Sequence, residues 1–278
     1  MTRTLAVALT AAALYAHPVA GQAVRPRSGD YLFIALVSGT RATWLNPAGL
    51  GVVREASVMA EFALDRPVDG DLRLGQWTLA LNSRGISLGY QRDRLPEGAA
   101  EAFRLGASLP FRGGAIGGAF TLYRGGVTDQ GGDLGVTYRL ARSLSVAATL
   151  RNIGRPTLRD SVAPLVGAVG LGWLPVANRV ELAAEAHFAE RLTASGYDAT
   201  YRAGAQVSTG SRVPLALVTA LDFGSNLKID GWTVGISVGR SDRGILLVTG
   251  IPTTTSSAHL SRFSLTGVAS RRPTGVLR

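Results

Sequence analysis

The feature that most constrains this chain is a short unit of alternating character, closed by Gly, Asp, Asn, Pro or Arg, that repeats from near residue 53 to Ser270. Leu144, Val146, Ala148 and Leu150 alternate with Ser145, Ala147, Thr149 and Arg151. Val180, Leu182, Ala184, Ala186 and Phe188 alternate with Glu181, Ala183, Glu185 and His187, and Trp232, Val234, Ile236 and Val238 with Thr233, Gly235, Ser237 and Gly239. Period two is strand geometry, which sends successive side chains to opposite faces. One face of each strand is therefore apolar, and the other is small or charged.

Alternation alone suits a soluble sandwich as well as a membrane barrel. Segment length and loop order separate them. Strands are expected near 53–64, 76–82, 85–93, 101–111, 114–123, 132–140, 143–152, 164–174, 178–188, 199–208, 213–222, 230–239, 242–250 and 259–269. Most approach the roughly 9–11 residues of a tilted membrane strand, against a soluble mode of about 5–6. Longer connections near 65–75, 94–100, 124–131, 153–163, 189–198, 223–229 and 251–258 alternate with short ones near 83–84, 112–113, 141–142, 175–177, 209–212 and 240–241. Bacterial barrels have this rhythm, with short periplasmic turns and longer external loops. The expected fold class is all-β: an antiparallel transmembrane β-barrel of about 14 strands, with about 12 as the alternative count, both chain ends on the short-turn side.

The first residues carry a basic start at Arg3, an apolar run from Leu5 to Tyr15 and small residues around Ala20, Gly21 and Ala23. That is the pattern of a cleaved secretory signal, so residues 1–23 are set aside as a signal peptide. The expected organisation continues with an N-terminal plug-like segment over 24–52, the barrel over 53–270 and a periplasmic tail over 271–278. There is no cysteine. Closed strand pairing, rather than disulfides, must supply stability after export.

The net charge is +10, nearly all from arginine, with Lys228 the single lysine. The arginines are scattered through turns and alternate positions, so nucleic acid is not an expected partner; outer-membrane lipid or lipopolysaccharide and the barrel lumen are. An arginine facing lipid at mid-membrane costs about 2–4 kcal/mol, which forces strand charges inward. Glu61, Asp133, Glu181, Glu185 and Asp222 are thus expected to form a luminal network with Arg104, Arg139, Arg151 and Arg202. Trp77, Tyr90, Tyr201 and Trp232 fall on the apolar phase near expected external ends, and Tyr138 and Trp173 near periplasmic ends, as interface girdles require. Tyr123 falls on the opposite phase.

Two serines, Ser87 and Ser237, sit in Gly-x-Ser-x-Gly patterns. A hydrolase elbow needs a strand–turn–helix context, and both serines lie inside alternating segments. Beyond the signal only His187 and His259 remain as histidines. Glu181, Glu185 and His187 share a strand face, but steps of about 7 Å per two residues are too wide for one ion without bending. No catalytic residue, metal site or cofactor is expected.

Residues 38–51, Ser-Gly-Thr-Arg-Ala-Thr-Trp-Leu-Asn-Pro-Ala-Gly-Leu-Gly, break the alternation. Pro47 lacks an N–H and holds Asn46 extended, Asn46 can bond its own backbone, and Gly49 permits a left-handed turn. The Asn46-Pro47-Ala48-Gly49-Leu50 element resembles the one that precedes the first strand in FadL-like outer-membrane transporters and related PorV/PorQ-type proteins. Leu150-Arg151-Asn152-Ile153-Gly154 is a weaker echo of the latter. The resemblance implies a luminal hatch, with Trp44, Asn46, Pro47 and Gly49 as its site residues, and passive transport of small hydrophobic molecules. The PorV/PorQ-type alternative implies a barrel that assists secretion or anchoring of surface proteins.

Overall fold

The computed structural model describes residues 27–66, 71–95, 98–125, 128–158, 161–176, 179–193, 195–209, 214–240, 243–252 and 261–271. Alternation becomes strands β1 (Ala56–Arg66), β2 (Arg73–Ser83), β3 (Ile86–Leu95), β4 (Gly98–Phe111), β5 (Gly114–Arg124), β6 (Asp129–Ala141) and β7 (Leu144–Ile153). A two-residue pair, β8 (Thr157–Leu158) and β9 (Ser161–Val162), follows in a loop. Then come β10 (Val166–Val176), β11 (Val180–Glu190), β12 (Tyr197–Ser208), β13 (Leu215–Phe223), β14 (Ile229–Arg240), β15 (Arg243–Pro252) and β16 (Ser261–Arg271).

Every strand except the β8–β9 pair belongs to one closed antiparallel barrel of fourteen strands, each paired with its neighbour in sequence. The seam closes as β1 meets β16, in a register running from Ala56 opposite Arg271 to Arg66 opposite Ser261. Closure pairs the backbone polar groups of every wall strand, which hydrocarbon requires because it offers them no partner. No helix among the described residues is long and apolar enough to cross a membrane; the crossing elements are strands.

Side chains alternate as the sequence dictates. In β4 the burial pattern switches residue by residue from Ala102 to Ser108, with Phe103, Leu105 and Leu109 outward and Ala102, Arg104 and Ser108 inward. Leu79, Leu81, Leu88, Leu171, Leu217, Ile236 and Leu247 are likewise exposed on the outer face. A contiguous apolar belt of this kind cannot face water at such extent, and lipid is the solvent that fits it. The tight turn between β2 and β3 uses Arg84 (φ 53°) and Gly85 (φ 97°). Two positive φ values in succession match the twist of antiparallel strands.

Several strand ends differ from expectation. β3 and β4 run on to Leu95 and from Gly98, so the connection expected over 94–100 shrinks to residues 96–97. Charged residues ended the sequence pattern there, yet the backbone ladder continues beyond the apolar belt. β1 begins at Ala56 rather than 53, because the chain is still leaving the lumen at Arg54 and Glu55, and β16 extends to Arg271. The expected signal peptide and nearly all of the expected tail lie outside the described residues.

Candidate functional site

Residues 29–52 lie inside the barrel. They form a 3-10 turn at Arg27–Asp30, a turn closed by the Val37 N–H on the Phe33 carbonyl (2.9 Å), a 3-10 helix over Gly39–Trp44 and one α-helical turn over Gly49–Val52. Tyr31, Leu45, Asn46, Ala48 and Leu50 are almost completely buried. Such irregular backbone leaves many peptide groups without internal partners, and buried groups must find them elsewhere. Here the wall supplies them.

Arg104 on β4 donates from Nε to the Thr43 carbonyl (2.5 Å), from Nη1 to Thr121 Oγ1 (2.9 Å) and from Nη2 to Asp133 (2.5 Å). Its guanidinium lies 5.5 Å from the Trp44 ring centroid. One cation thus caps the carbonyl end of the 3-10 helix, stacks on its last residue and pairs with a carboxylate that also accepts the Asn152 N–H (2.9 Å). Arg202 on β12 repeats the device. It donates to the Gly29 carbonyl and to Asp222 (2.7 Å), and lies 5.9 Å from the Phe33 ring.

Glu185 on β11 accepts the Ile34 N–H and pairs with His187 (2.9 Å), whose other ring nitrogen faces Arg151 (3.5 Å). At the seam, Thr266 on β16 donates to Glu61 on β1 (3.0 Å), and the Tyr31 hydroxyl meets both, at 2.9 Å from Thr266 and 3.4 Å from Glu61. Hydroxyls complete the set: Ser108 donates to the Ala48 carbonyl (3.0 Å), Ser145 to the Ala35 carbonyl (2.9 Å), and Ser57 accepts the Thr40 N–H (3.2 Å).

The Asn-Pro-Ala-Gly element is the internal fold of the segment. Asn46 donates to the Ile34 carbonyl (2.9 Å) and accepts the Ala48 N–H (3.1 Å), tying two distant stretches of the segment together. A β-carbon on Gly49 would overlap the Val37 carbonyl. Glycines on the inward wall give room for the rest: Gly117 receives the Pro47 backbone, Gly135 the Asn46 side chain, Gly204 the Phe33 ring, and Gly89 the Trp44 ring, where a β-carbon would lie 2.9 Å away.

Most of the residues expected to form a luminal network grip the one segment, as linked clusters around it. Arg104–Asp133, Arg202–Asp222 and Glu185–His187–Arg151 are three of them, and Glu61 belongs to a fourth. Glu181 lines a cavity of about 180 Å³ together with Arg41, Tyr31, Phe33, Leu36 and Val218. Arg139 does not join. It keeps the inward phase but lies at the turn end of β6, exposed, where the wall no longer encloses it. Tyr123, on the inward phase, packs against the cluster containing Trp44 and Leu45. Sequence reasoning missed Tyr31, Thr266, Ser57, Ser108 and Ser145; for the four wall residues the signal was a hydroxyl on the inward face, and Tyr31, in the aperiodic segment, had none.

No family model matches the sequence, and no curated protein matches it. Solved structures do. The CymD monoaromatic hydrocarbon channel superposes with a TM-score of 0.56 at 13% identity, over 90% of this chain and 97% of that one. The chain has the fold of a FadL-like outer-membrane barrel. A Pseudomonas aeruginosa FadL homologue superposes on this chain with a TM-score of 0.51 at 8% identity, over 90% and 97% of the two chains. The P. putida toluene transporter TodX does so at 0.53 and 11%, over 86% and 95%.

Proposed function

We propose that this FadL-like barrel carries small hydrophobic molecules passively across the outer membrane, with residues 29–52 as its hatch. The observation that carries the reading is the cavity of about 180 Å³ between the segment and β11–β13, where Phe33, Leu36 and Val218 form an apolar side and Arg41, Glu181 and Gln206 a polar one. A cavity of about 150 Å³ lined by Leu, Ile and Phe is known to hold benzene, whereas drug-sized pockets run about 300–1,000 Å³. A single ring or short chain matches the space. CymD and TodX, by their names, pass monoaromatic hydrocarbons and toluene. That supports the same class here. The PorV/PorQ-type reading draws no support from these structures.

The test is uptake of labelled toluene by cells with an intact lipopolysaccharide leaflet, expressing the wild-type barrel or none. Expression should raise the initial uptake rate, and Val218→Trp, which fills the cavity, should remove the increase while the barrel still folds. Equal uptake with and without the barrel, joined to mass spectra showing no hydrophobic molecule co-extracted with it, would sink the proposal.

A further inference from the structure

On the outer wall near the loop-bearing rim, strand register assembles one cross-strand row: Trp77 opposite Arg92, Arg92 opposite Glu101, and Glu101 opposite Arg124. The row beneath it reads Leu79, Tyr90, Phe103, Leu122, and the next Leu81, Leu88, Leu105, Phe120. Charge thus meets hydrocarbon at one sharp level.

The boundary itself is aromatic. Trp77, Tyr90 and Phe103 follow one another at centroid spacings of 4.9 Å, and Arg124 lies 5.4 Å from the Phe103 ring. Tyr90 donates to Glu101 (2.8 Å), which also sits 3.9 Å from Arg92. Just above, Arg73, Arg92 and Arg94 line a concavity of about 320 Å³ with Leu74, Gly98 and Ala99. Elsewhere on the rim two described arginines are paired with carboxylates: Arg155 with Glu190 at 2.6 Å, Arg191 with Asp198 at 2.7 Å. Among the described residues of strands β3–β5, Arg92, Arg94 and Arg124 face outward around one outward carboxylate, Glu101.

We propose that this sector is a docking site for a phosphorylated glycolipid of the outer leaflet, of lipid A type. Its phosphates seat among Arg92, Arg94 and Arg124, and its acyl chains cover the rows below. Charge complementarity selects an anion, and continuity with the apolar rows requires that the anion carry acyl chains. A soluble anion would leave those rows uncovered. The site is independent of the transport reading, since it uses only the outward phase.

The experiment is native mass spectrometry of the full barrel in detergent, titrated with bis-phosphorylated lipid A, with the dephosphorylated form and with phosphatidylglycerol. Near a membrane surface each arginine contributes about fivefold in affinity for anionic lipid, so the triple variant Arg92→Gln/Arg94→Gln/Arg124→Gln should bind lipid A about a hundredfold more weakly. Folding of each variant is checked by heat-modifiable gel mobility. Should the triple variant fail to fold, Arg94→Gln alone should still show about a fivefold loss. Preference for the bis-phosphorylated lipid, lost in the variants, supports the site. Equal binding of the dephosphorylated lipid or phosphatidylglycerol, or unchanged affinity in a folded variant, would overturn it.

Discussion

Gly117 on β5 lies so close to Pro47 that a β-carbon there would overlap the proline's carbonyl group. Neither partner can yield: one is wall backbone, the other the rigid turn of the luminal segment. Gly117→Ala should therefore push the segment from its seat, at the cost of about 1–3 kcal/mol typical of overpacking. Planar-bilayer recordings should show raised basal conductance, with the barrel still heat-modifiable. A silent Gly117→Ala pore would mean that the segment can shift without opening a path.

Arg104 satisfies a backbone carbonyl, a hydroxyl and a carboxylate at once. Removing one member of a buried pair leaves the other charge uncompensated, so Arg104→Ala should lose about 3–5 kcal/mol in urea unfolding of the reconstituted barrel. Arg104→Lys should recover only part of this. A point charge cannot reproduce the planar fork that reaches three acceptors.

Asn46→Asp keeps the acceptor for the Ala48 N–H and removes the donor to the Ile34 carbonyl. An orphaned buried carbonyl costs about 1–3 kcal/mol, and the new carboxylate must itself be desolvated. Limited proteolysis should cut residues 29–52 faster in this variant than in the wild type, while the wall strands resist equally in both.

Among the four tryptophans, Trp44 is buried in the lumen while Trp173 and Trp232 are exposed on the lipid face and Trp77 lies on the same outward phase. Brominated acyl chains should quench wild-type fluorescence strongly. A Trp77→Phe/Trp173→Phe/Trp232→Phe variant, left with Trp44, should be nearly insensitive to them. Strong quenching of that variant would place Trp44 against lipid instead.

The exposed pair Arg155–Glu190 offers a contrast. Its geometry is bidentate, at 2.7 and 2.6 Å, and the carboxylate raises the guanidinium pKa from its ordinary value. The pair stands in water, where screening leaves little net gain. Glu190→Gln should leave the urea midpoint unchanged, in contrast to Arg104→Ala.

The wall was legible in sequence because each strand reports its own faces: a period of two needs no knowledge of neighbours. Phase alone carries no depth, however, and Arg139 shows the consequence. It has the inward phase of Asp133 and Thr137 but sits beyond the enclosed lumen. The luminal segment is aperiodic, so its residues could be marked as unusual at Asn46-Pro47 without revealing which wall positions receive them. The meeting of Pro47 with Gly117, or of Tyr31 with Thr266, depends on how the closed barrel brings distant strands around the segment. No local pattern encodes it.

The Tyr31 hydroxyl touches Thr266 on the last strand and Glu61 on the first, at the one place where the wall is joined by residues 205 apart in the chain. A segment fastened to both sides of the seam holds the first strand to the last from within. Tyr31 acts as a rivet through the join, so the same hydroxyl that seats the segment also braces the closure of the cylinder.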